Sequence, residues 1–181
     1  MHCETYTQKA FKALMQAMSR PGTVHQLDLN ESDGPLMPVL LTLLDQEVTF
    51  AVVGKGIEGD RIALATGSKE TAVEEADFVL VSGGDSAGAV LRAKRGDIKY
   101  PDKGATILYL IPSVQGRGTR FHLEGPGILE SMTFAPDGFG QGEARDVRAA
   151  NAEFPIGVDC VFVDKAARMV AVPRSVRMEV A

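Results

Sequence analysis

The chain has 181 residues, of which 45% are hydrophobic and 24% charged, a composition typical of one soluble globular domain over 1–181. The formal net charge of −5 lacks the basic excess with which nucleic-acid-binding proteins displace counterions, so we expect no nucleic-acid partner. The two cysteines, Cys3 and Cys160, are too few for a disulfide framework or a cysteine-based zinc or iron–sulfur site.

The first half of the sequence alternates predicted helices and strands. Apolar residues recur at near-helical spacing over 5–19, which predicts an amphipathic helix that ends at Arg20, Pro21 and Gly22. The apolar runs at 48–53 and 77–82 predict buried strands. The other elements predicted here are a strand at 24–29, a polar loop at 30–34 and helices at 36–44, 57–65 and 86–94.

The second half is richer in strands. An apolar strand is predicted at 106–111, and an alternating strand at 120–124 with its partner at 130–134. A loop at 138–142 and a charged helix at 143–153 precede strands at 158–163, 169–172 and 176–180. The five residues 164–168 join the first two of these as a hairpin. The whole pattern indicates an α/β fold with a mixed sheet and helices on both faces.

The beginning of the sequence and its hydropathy argue against a membrane protein. The first residues lack the basic start and apolar run of a secretory signal. The longest apolar stretch, 35–44, is far shorter than the roughly 20 residues that span a bilayer. We therefore expect a cytoplasmic protein that does not contact a membrane.

A glycine turn at 82–85 is a candidate phosphate site, because it lies between a strand and a helix and could present backbone N–H groups to an anion. It lacks the sequence of a phosphate-binding loop. The simpler interpretation is a tight turn in which Asp85 or Ser86 caps the following helix.

Two further candidates have simple structural alternatives. His122 and Glu124 would project from one face of a strand, as a general base with its orienting group does, but a solvated strand explains them equally well. Cys160 lies inside an apolar strand, where a free thiol is usually a small buried hydrophobe rather than a nucleophile. We therefore assign no catalytic residue from the pattern alone.

Arginines in the second half could clamp a phosphate if they converge, although scattered solvated arginines are the default. They are Arg117, Arg120, Arg145, Arg148 and Arg174. Three lysines lie near predicted strand ends, but nothing ties any of them to a phosphate cup for pyridoxal phosphate. We expect neither a cofactor nor a metal.

Four segments together resemble the PhnH family of carbon–phosphorus lyase subunits. They are FKALMQAMSRPG at 11–22, HLEGPGI at 122–128, FPIGVD at 154–159, and AVPR at 171–174 followed by MEV at 178–180. Their order and spacing hold over nearly the whole chain. In one departure, Arg20 stands where the family often has an acidic residue.

The resemblance implies an accessory, non-catalytic subunit of a bacterial complex for phosphonate catabolism. With three other core subunits, such proteins serve the ATP-dependent conversion of an alkylphosphonate to ribose 1-phosphonate 5-triphosphate. The implied fold is a three-layer α/β/α sandwich similar to a reduced pyridoxal-phosphate-dependent transferase without the cofactor, and it forms homodimers when isolated. The two distant cysteines agree with this role, because the chain cannot hold the iron–sulfur cluster that radical cleavage of the carbon–phosphorus bond needs.

Positions inside the matched motifs supply the candidate site residues. The binding or interface candidates are Arg20, Glu124, Asp159 and Arg174. The residues expected to fix turns are Pro21, Gly22, Gly125, Gly127, Pro155 and Gly157. Two other hypotheses remain: a stand-alone nucleotide- or phosphonate-binding module that uses the turn at 82–86 and the arginines, and a small transferase that still binds pyridoxal phosphate.

Overall fold

The computed structural model describes residues 5–29 and 34–181, so Cys3 and most of the predicted polar loop at 30–34 lie outside the described residues. The helices are α1 (Tyr6–Ser19), α2 (Met37–Leu43), α3 (Gly59–Thr66), α4 (Ala89–Arg92) and α5 (Gln141–Ala150), with a short 3-10 helix at Pro101–Lys103. The strands are β1 (His25–Gln26), β2 (Thr49–Val53), β3 (Lys69–Glu70), β4 (Phe78–Ser82), β5 (Thr106–Ile111), β6 (Phe121–Glu124), β7 (Met132–Phe134), β8 (Asp159–Asp164), β9 (Arg168–Val172) and β10 (Arg177–Val180).

A seven-stranded mixed sheet forms the centre of the described structure. Its order is β1-β9-β8-β5-β4-β2-β3. Each pair of neighbours from β8 to β3 is parallel, whereas β9 pairs antiparallel with both of its neighbours, β8 and β1. A second, three-stranded antiparallel sheet has the order β10-β6-β7. The predicted α/β fold with a mixed sheet is confirmed. The small second sheet is an addition, because the last strand pairs with β6 instead of extending the hairpin before it.

Both faces of the large sheet are buried, as its apolar strands require. Successive residues of a strand point to opposite faces, so Leu80 packs with the α1, α2 and α3 side while Val79 and Val81 pack with the other. That other side consists of α4, α5 and the small sheet. No helix among the described residues is long and apolar enough to cross a bilayer.

Helix α1 confirms the prediction from apolar spacing. Thr5 begins it with a capping box, in which the Thr5 side chain accepts from the amide of Gln8 and the Gln8 side chain accepts from the amide of Thr5. Ala10, Leu14 and Ala17 form its buried stripe. The amide of Arg20 donates to the carbonyl of Gln16 over 2.9 Å, and the helix ends there, directly before Pro21.

Several predicted boundaries were wrong, most clearly at 86–94. Only Ala89–Arg92 is α-helical, because Ala87 and Gly88 have φ values of +51° and +79° and so cannot belong to a right-handed helix. Helix α5 begins at Gln141, inside the predicted loop at 138–142, and ends at Ala150 rather than at 153. The strand predicted at 24–29 is reduced to two residues, and the short strand β3 and the 3-10 helix were not predicted.

The predicted hairpin across 164–168 is confirmed, and Asp164 organises its turn. Its Oδ1 accepts from the amides of Ala166 and Arg168, and its Oδ2 accepts from the amide of Val114 and from Nε of Arg168 at 2.9 Å. Burial alone would raise the pKa of Asp164, but these hydrogen bonds and the guanidinium charge outweigh burial and hold that pKa below its ordinary value.

Candidate functional site

Segments far apart in the sequence meet in the folded chain at 19–22, 122–128, 154–159 and 171–180, which together we call the motif junction. The amide of Gly22 donates to the carbonyl of Ala171 over 3.2 Å. Strand β10 pairs with β6, so Arg177 lies opposite Glu124. The motifs that carry the family resemblance therefore build one continuous region.

Two glycines make the close packing at the motif junction possible. Gly127 has a φ of +85°, and a Cβ there would overlap the carbonyl oxygen of Ser19. Gly22 has a φ of +81°, and a Cβ there would lie only 2.6 Å from Cγ of Met132. Cδ of Pro21 lies 2.9 Å from the position of a Cβ on Gly127. These contacts hold the end of α1 against the β6–β7 hairpin.

Asp159 and Arg174 form the central ion pair of the motif junction. Nη2 of Arg174 lies 2.6 Å from Oδ2 of Asp159, Nε donates to the same carboxylate, and the Arg174 amide donates to its Oδ1 over 2.8 Å. The remaining nitrogen, Nη1, donates to the carbonyl of Pro101 over 2.7 Å. The side chains are only 13% and 18% exposed, so the pair ties three segments together largely out of water.

Asn151 holds the segment that precedes β8, a role the sequence analysis missed. Its Nδ2 donates to the carbonyl of Val158 over 3.1 Å, and its Oδ1 accepts from the amide of Val158 over 2.7 Å. Gly157 packs directly against this amide group. The bond from Phe154 to Pro155 is cis, and both residues are exposed. The side-chain amide of Asn151 thus forms the two hydrogen bonds with the backbone of Val158 that a neighbouring β-strand could form.

Arg20 and Glu124 lie apart from the buried pair and are both exposed. Burial lowers the pKa of His25, and the nearby Arg20 guanidinium lowers it further. His122 and Glu124 share the solvent face of β6, as the alternation predicts, opposite Glu179 and Arg177 of β10. The structure thus brings Asp159 and Arg174 together and leaves the other two candidates at the surface.

A cleft of about 480 Å³ lies beside the motif junction, between α5 and the connection from β9 to β10. Its largely apolar wall is made by Val147, Val172, Val176 and Met178. Arg148, Asn151 and Phe154 also line it. Within 5–29 and 34–181, no hydrogen bond or ion pair engages the Arg148 side chain, whereas Asp159 neutralises Arg174. The cleft therefore offers one free guanidinium next to apolar surface.

The polar groups of the glycine turn at 82–86 form hydrogen bonds within the protein. The Gly83 amide donates to the carbonyl of Leu110, and the Ser86 amide donates to Oε2 of Glu143 over 3.1 Å. The hydroxyl of Ser86 accepts from the amide of Val90 in the first turn of α4, but the N-cap residue of that helix is Gly88, so neither Asp85 nor Ser86 is the cap that the sequence predicted. Oε1 of Glu143 accepts from the hydroxyl of Tyr109 over 2.6 Å. The turn is thus part of the buried packing and not an open anion site.

Cys160 is fully buried in β8, which agrees with the prediction of a small buried hydrophobe. Burial raises the pKa of the Cys160 thiol well above its ordinary value, and the nearby carboxylates of Asp159 and Glu143 add to this effect. A thiol held protonated and out of contact with solvent cannot serve as a nucleophile at neutral pH.

Comparison with known proteins defines the class. The sequence model of the family described as bacterial phosphonate metabolism protein (PhnH) matches residues 2–179. The chain therefore belongs to the PhnH family. It is 33% identical over 156 residues to a protein of Stutzerimonas stutzeri named as the C-P lyase subunit protein HtxG, a match that covers 86% of this chain and 77% of that protein. It is 29% identical over 185 residues to the alpha-D-ribose 1-methylphosphonate 5-triphosphate synthase subunit PhnH of Rhizobium meliloti (strain 1021), with 95% and 90% covered.

Proposed function

We propose that this chain is an accessory, non-catalytic subunit of a bacterial carbon–phosphorus lyase core complex. It supports the ATP-dependent conversion of an alkylphosphonate to ribose 1-phosphonate 5-triphosphate, while partner subunits carry out the chemistry. The proposal includes the rest of the family pattern: one domain over 1–181, a three-layer fold like a reduced pyridoxal-phosphate-dependent transferase without the cofactor, a homodimer when isolated, and a cytoplasmic location.

The use of the motif residues supports this proposal. Asp159 and Arg174 form an ion pair with each other inside the fold, and the motif glycines allow the backbone segments to pack closely. A reactive site would instead need polar groups that point into a cavity and await a substrate. Motif residues with such structural roles fit a subunit whose partners recognise the shape of its surface. The exposed motif residues, Arg20 and Glu124, are then candidates for direct contact with a partner.

Co-purification tests the proposal. The tagged chain, expressed in its own host growing on methylphosphonate, is expected to retrieve the other core subunits at fixed stoichiometry in native mass spectrometry. The double variant Arg20→Ala/Glu124→Ala is expected to retrieve several-fold less of them. The matched control is Lys69→Ala/Glu70→Ala, an exposed pair on β3 outside the motifs. A lone homodimer from the wild-type chain under gentle conditions would contradict the proposal.

The cleft beside α5 favours a second function, a nucleotide- or phosphonate-binding module. Arg148 is free to bind a phosphoryl group, and the ring of Phe154, a residue that is 65% exposed, could stack on a base. Titration calorimetry of the isolated chain with ATP and with methylphosphonate would then show heat of binding, lost in Arg148→Ala and kept in the control Arg117→Ala. No heat from either compound with the wild-type chain would discard this function.

A further inference from the structure

A tightly built loop, 96–104, projects from the chain between α4 and β5. The amide of Asp97 donates to the carbonyl of Tyr100 and the amide of Tyr100 donates back, at 3.2 and 3.1 Å. Oδ1 of Asp97 accepts from the amides of Lys99 and Tyr100, both over 2.8 Å. Arg95 and Gly104 form an isolated antiparallel bridge at the base. The loop thus has a defined shape set by its own hydrogen bonds.

The tip of this loop exposes apolar surface framed by cations. Ile98 is 85% exposed and Tyr100 is 41% exposed. The ammonium groups of Lys99 and Lys103 lie 5.1 and 4.5 Å from the centre of the Tyr100 ring. Two like charges beside one ring repel each other, and a carboxylate from another molecule would relieve that repulsion. An isolated exposed isoleucine is ordinary, but this combination matches the residues that anchor protein interfaces.

The motif junction holds the base of the loop. Nη1 of Arg174 donates to the carbonyl of Pro101 over 2.7 Å, and the amide of Gly157 donates to the carbonyl of Arg95 over 2.8 Å. Gly104 packs so closely on Arg174 that a Cβ there would lie 2.5 Å from Nη1. Residues inside two family motifs therefore fix the direction in which Ile98 and Tyr100 point.

We propose that loop 96–104 is a docking knob, which inserts Ile98 and Tyr100 into an apolar pocket with an acidic rim on another subunit of the complex. This inference rests on the proposed function as an accessory subunit. The carboxylate of Asp97 is occupied by backbone amides, which leaves Asp102 as the other acidic side chain beside Lys99 and Lys103. The four charged side chains of the loop sum to zero, two aspartates against two lysines. Both ammonium groups nevertheless lie beside the exposed Tyr100 ring, whereas the Asp97 carboxylate accepts from amides of its own loop, so a carboxylate-rimmed pocket complements the surroundings of that ring.

Substitutions at the tip test the knob in the co-purification described above. Ile98→Asp and the double reversal Lys99→Glu/Lys103→Glu are each expected to lower partner recovery about tenfold, as loss of an interface anchor does. The control Leu64→Asp changes a leucine that is 89% exposed on α3. It is expected to recover partners like the wild-type chain. Urea unfolding midpoints equal to that of the wild type would show that the tip variants fold.

Each outcome decides between the two proposals. Full recovery of partners by both tip variants would overturn the knob while leaving the accessory role intact. A wild-type chain that recovers no partner would overturn the accessory role and the knob with it. Co-sedimentation of the isolated chain with phosphatidylserine vesicles, lost in Ile98→Asp, would identify the tip as a membrane contact and would also overturn the knob.

Arg174 acts in this scheme as a positioning residue. In Arg174→Ala, hydrogen exchange is expected to rise at the amides of 97–104 more than elsewhere, and partner recovery is expected to fall under conditions where the variant is fully folded. The control Arg168→Ala removes the guanidinium of another ion pair, that with Asp164 at the β8–β9 turn, which does not contact the loop. Its partner recovery should remain high. Unchanged exchange at 97–104 in Arg174→Ala would show that Arg174 does not position the knob.

Discussion

Arg174→Ala is expected to lower the free energy of unfolding by about 3 kcal/mol, near the lower end of the cost of removing one partner from a buried ion pair. The variant leaves the Asp159 carboxylate, whose side chain is only 18% exposed, without its counter-charge, and it also removes a donor from the carbonyl of Pro101. Arg174→Lys should recover only part of the loss, because one ammonium group cannot reach the carboxylate and the Pro101 carbonyl in the geometry of a guanidinium. Urea unfolding followed by circular dichroism measures these differences.

A double-mutant cycle separates the ion pair from general damage. Asp159→Asn and Arg174→Met combined should cost clearly less than the sum of the single changes, since each single change leaves a buried partner unsatisfied. The matched control is Arg92→Met at the exposed pair with Glu74, where solvent screens the charges and no resolvable loss is expected. Strict additivity at Asp159 and Arg174, or a loss no larger than that at Arg92, would contradict the role of the pair as a buried clamp.

Hydropathy patterns predicted the elements with long apolar runs. Strands β4, β5 and β8 lie within a residue of their predicted bounds, because burial on both faces requires a continuous apolar run. The short elements were predicted poorly. Strand β1 is two residues long and the predicted helix at 86–94 is a single turn, and neither buries enough apolar surface to leave a pattern. The positive φ of Ala87, whose amide donates to Oδ1 of Asp85, left no signal in the hydropathy pattern, because that pattern records burial and not backbone dihedral angles.

The ion pair between Asp159 and Arg174 could have been found from the sequence. The predicted hairpin turn at 164–168 sets the register, so Cys160 lies opposite Val172, and continuing that register brings Asp159 beside the residues after β9. The Pro101 carbonyl, the Asn151 amide and the approach of Gly127 to Ser19 had no such signal. They depend on contacts between segments separated by loops whose paths only the three-dimensional structure defines.

Asp164→Asn is expected to lower the free energy of unfolding by about 3 kcal/mol at neutral pH, because its side chain is 1% exposed and its charge faces the Arg168 guanidinium. The pKa of Asp164 is lower in the folded chain than in the unfolded chain, where a carboxyl group titrates near pH 4. The stabilisation by this charge is therefore complete above about pH 5 and is lost as the pH falls through the folded pKa. The difference in unfolding free energy between wild type and variant should stay constant from neutral pH to about pH 5 and narrow below about pH 4.

Urea unfolding of both proteins across that pH range tests the linkage, and the difference between them cancels the contributions of other carboxylates such as Asp77. Asp28→Asn is the control, because Asp28 and Lys9 are each about half exposed and solvent screens their interaction. The free energy of unfolding of this control should be only slightly lower than that of the wild type, and the difference should vary little with pH. The difference in unfolding free energy between wild type and Asp164→Asn could instead persist undiminished at pH 3. The variant would then be less stable because its amide cannot form the hydrogen bonds of the carboxylate, and not because the charge is missing. The hairpin turn would then depend on hydrogen-bond geometry alone, and the guanidinium of Arg168 would contribute little to holding β8 against β9.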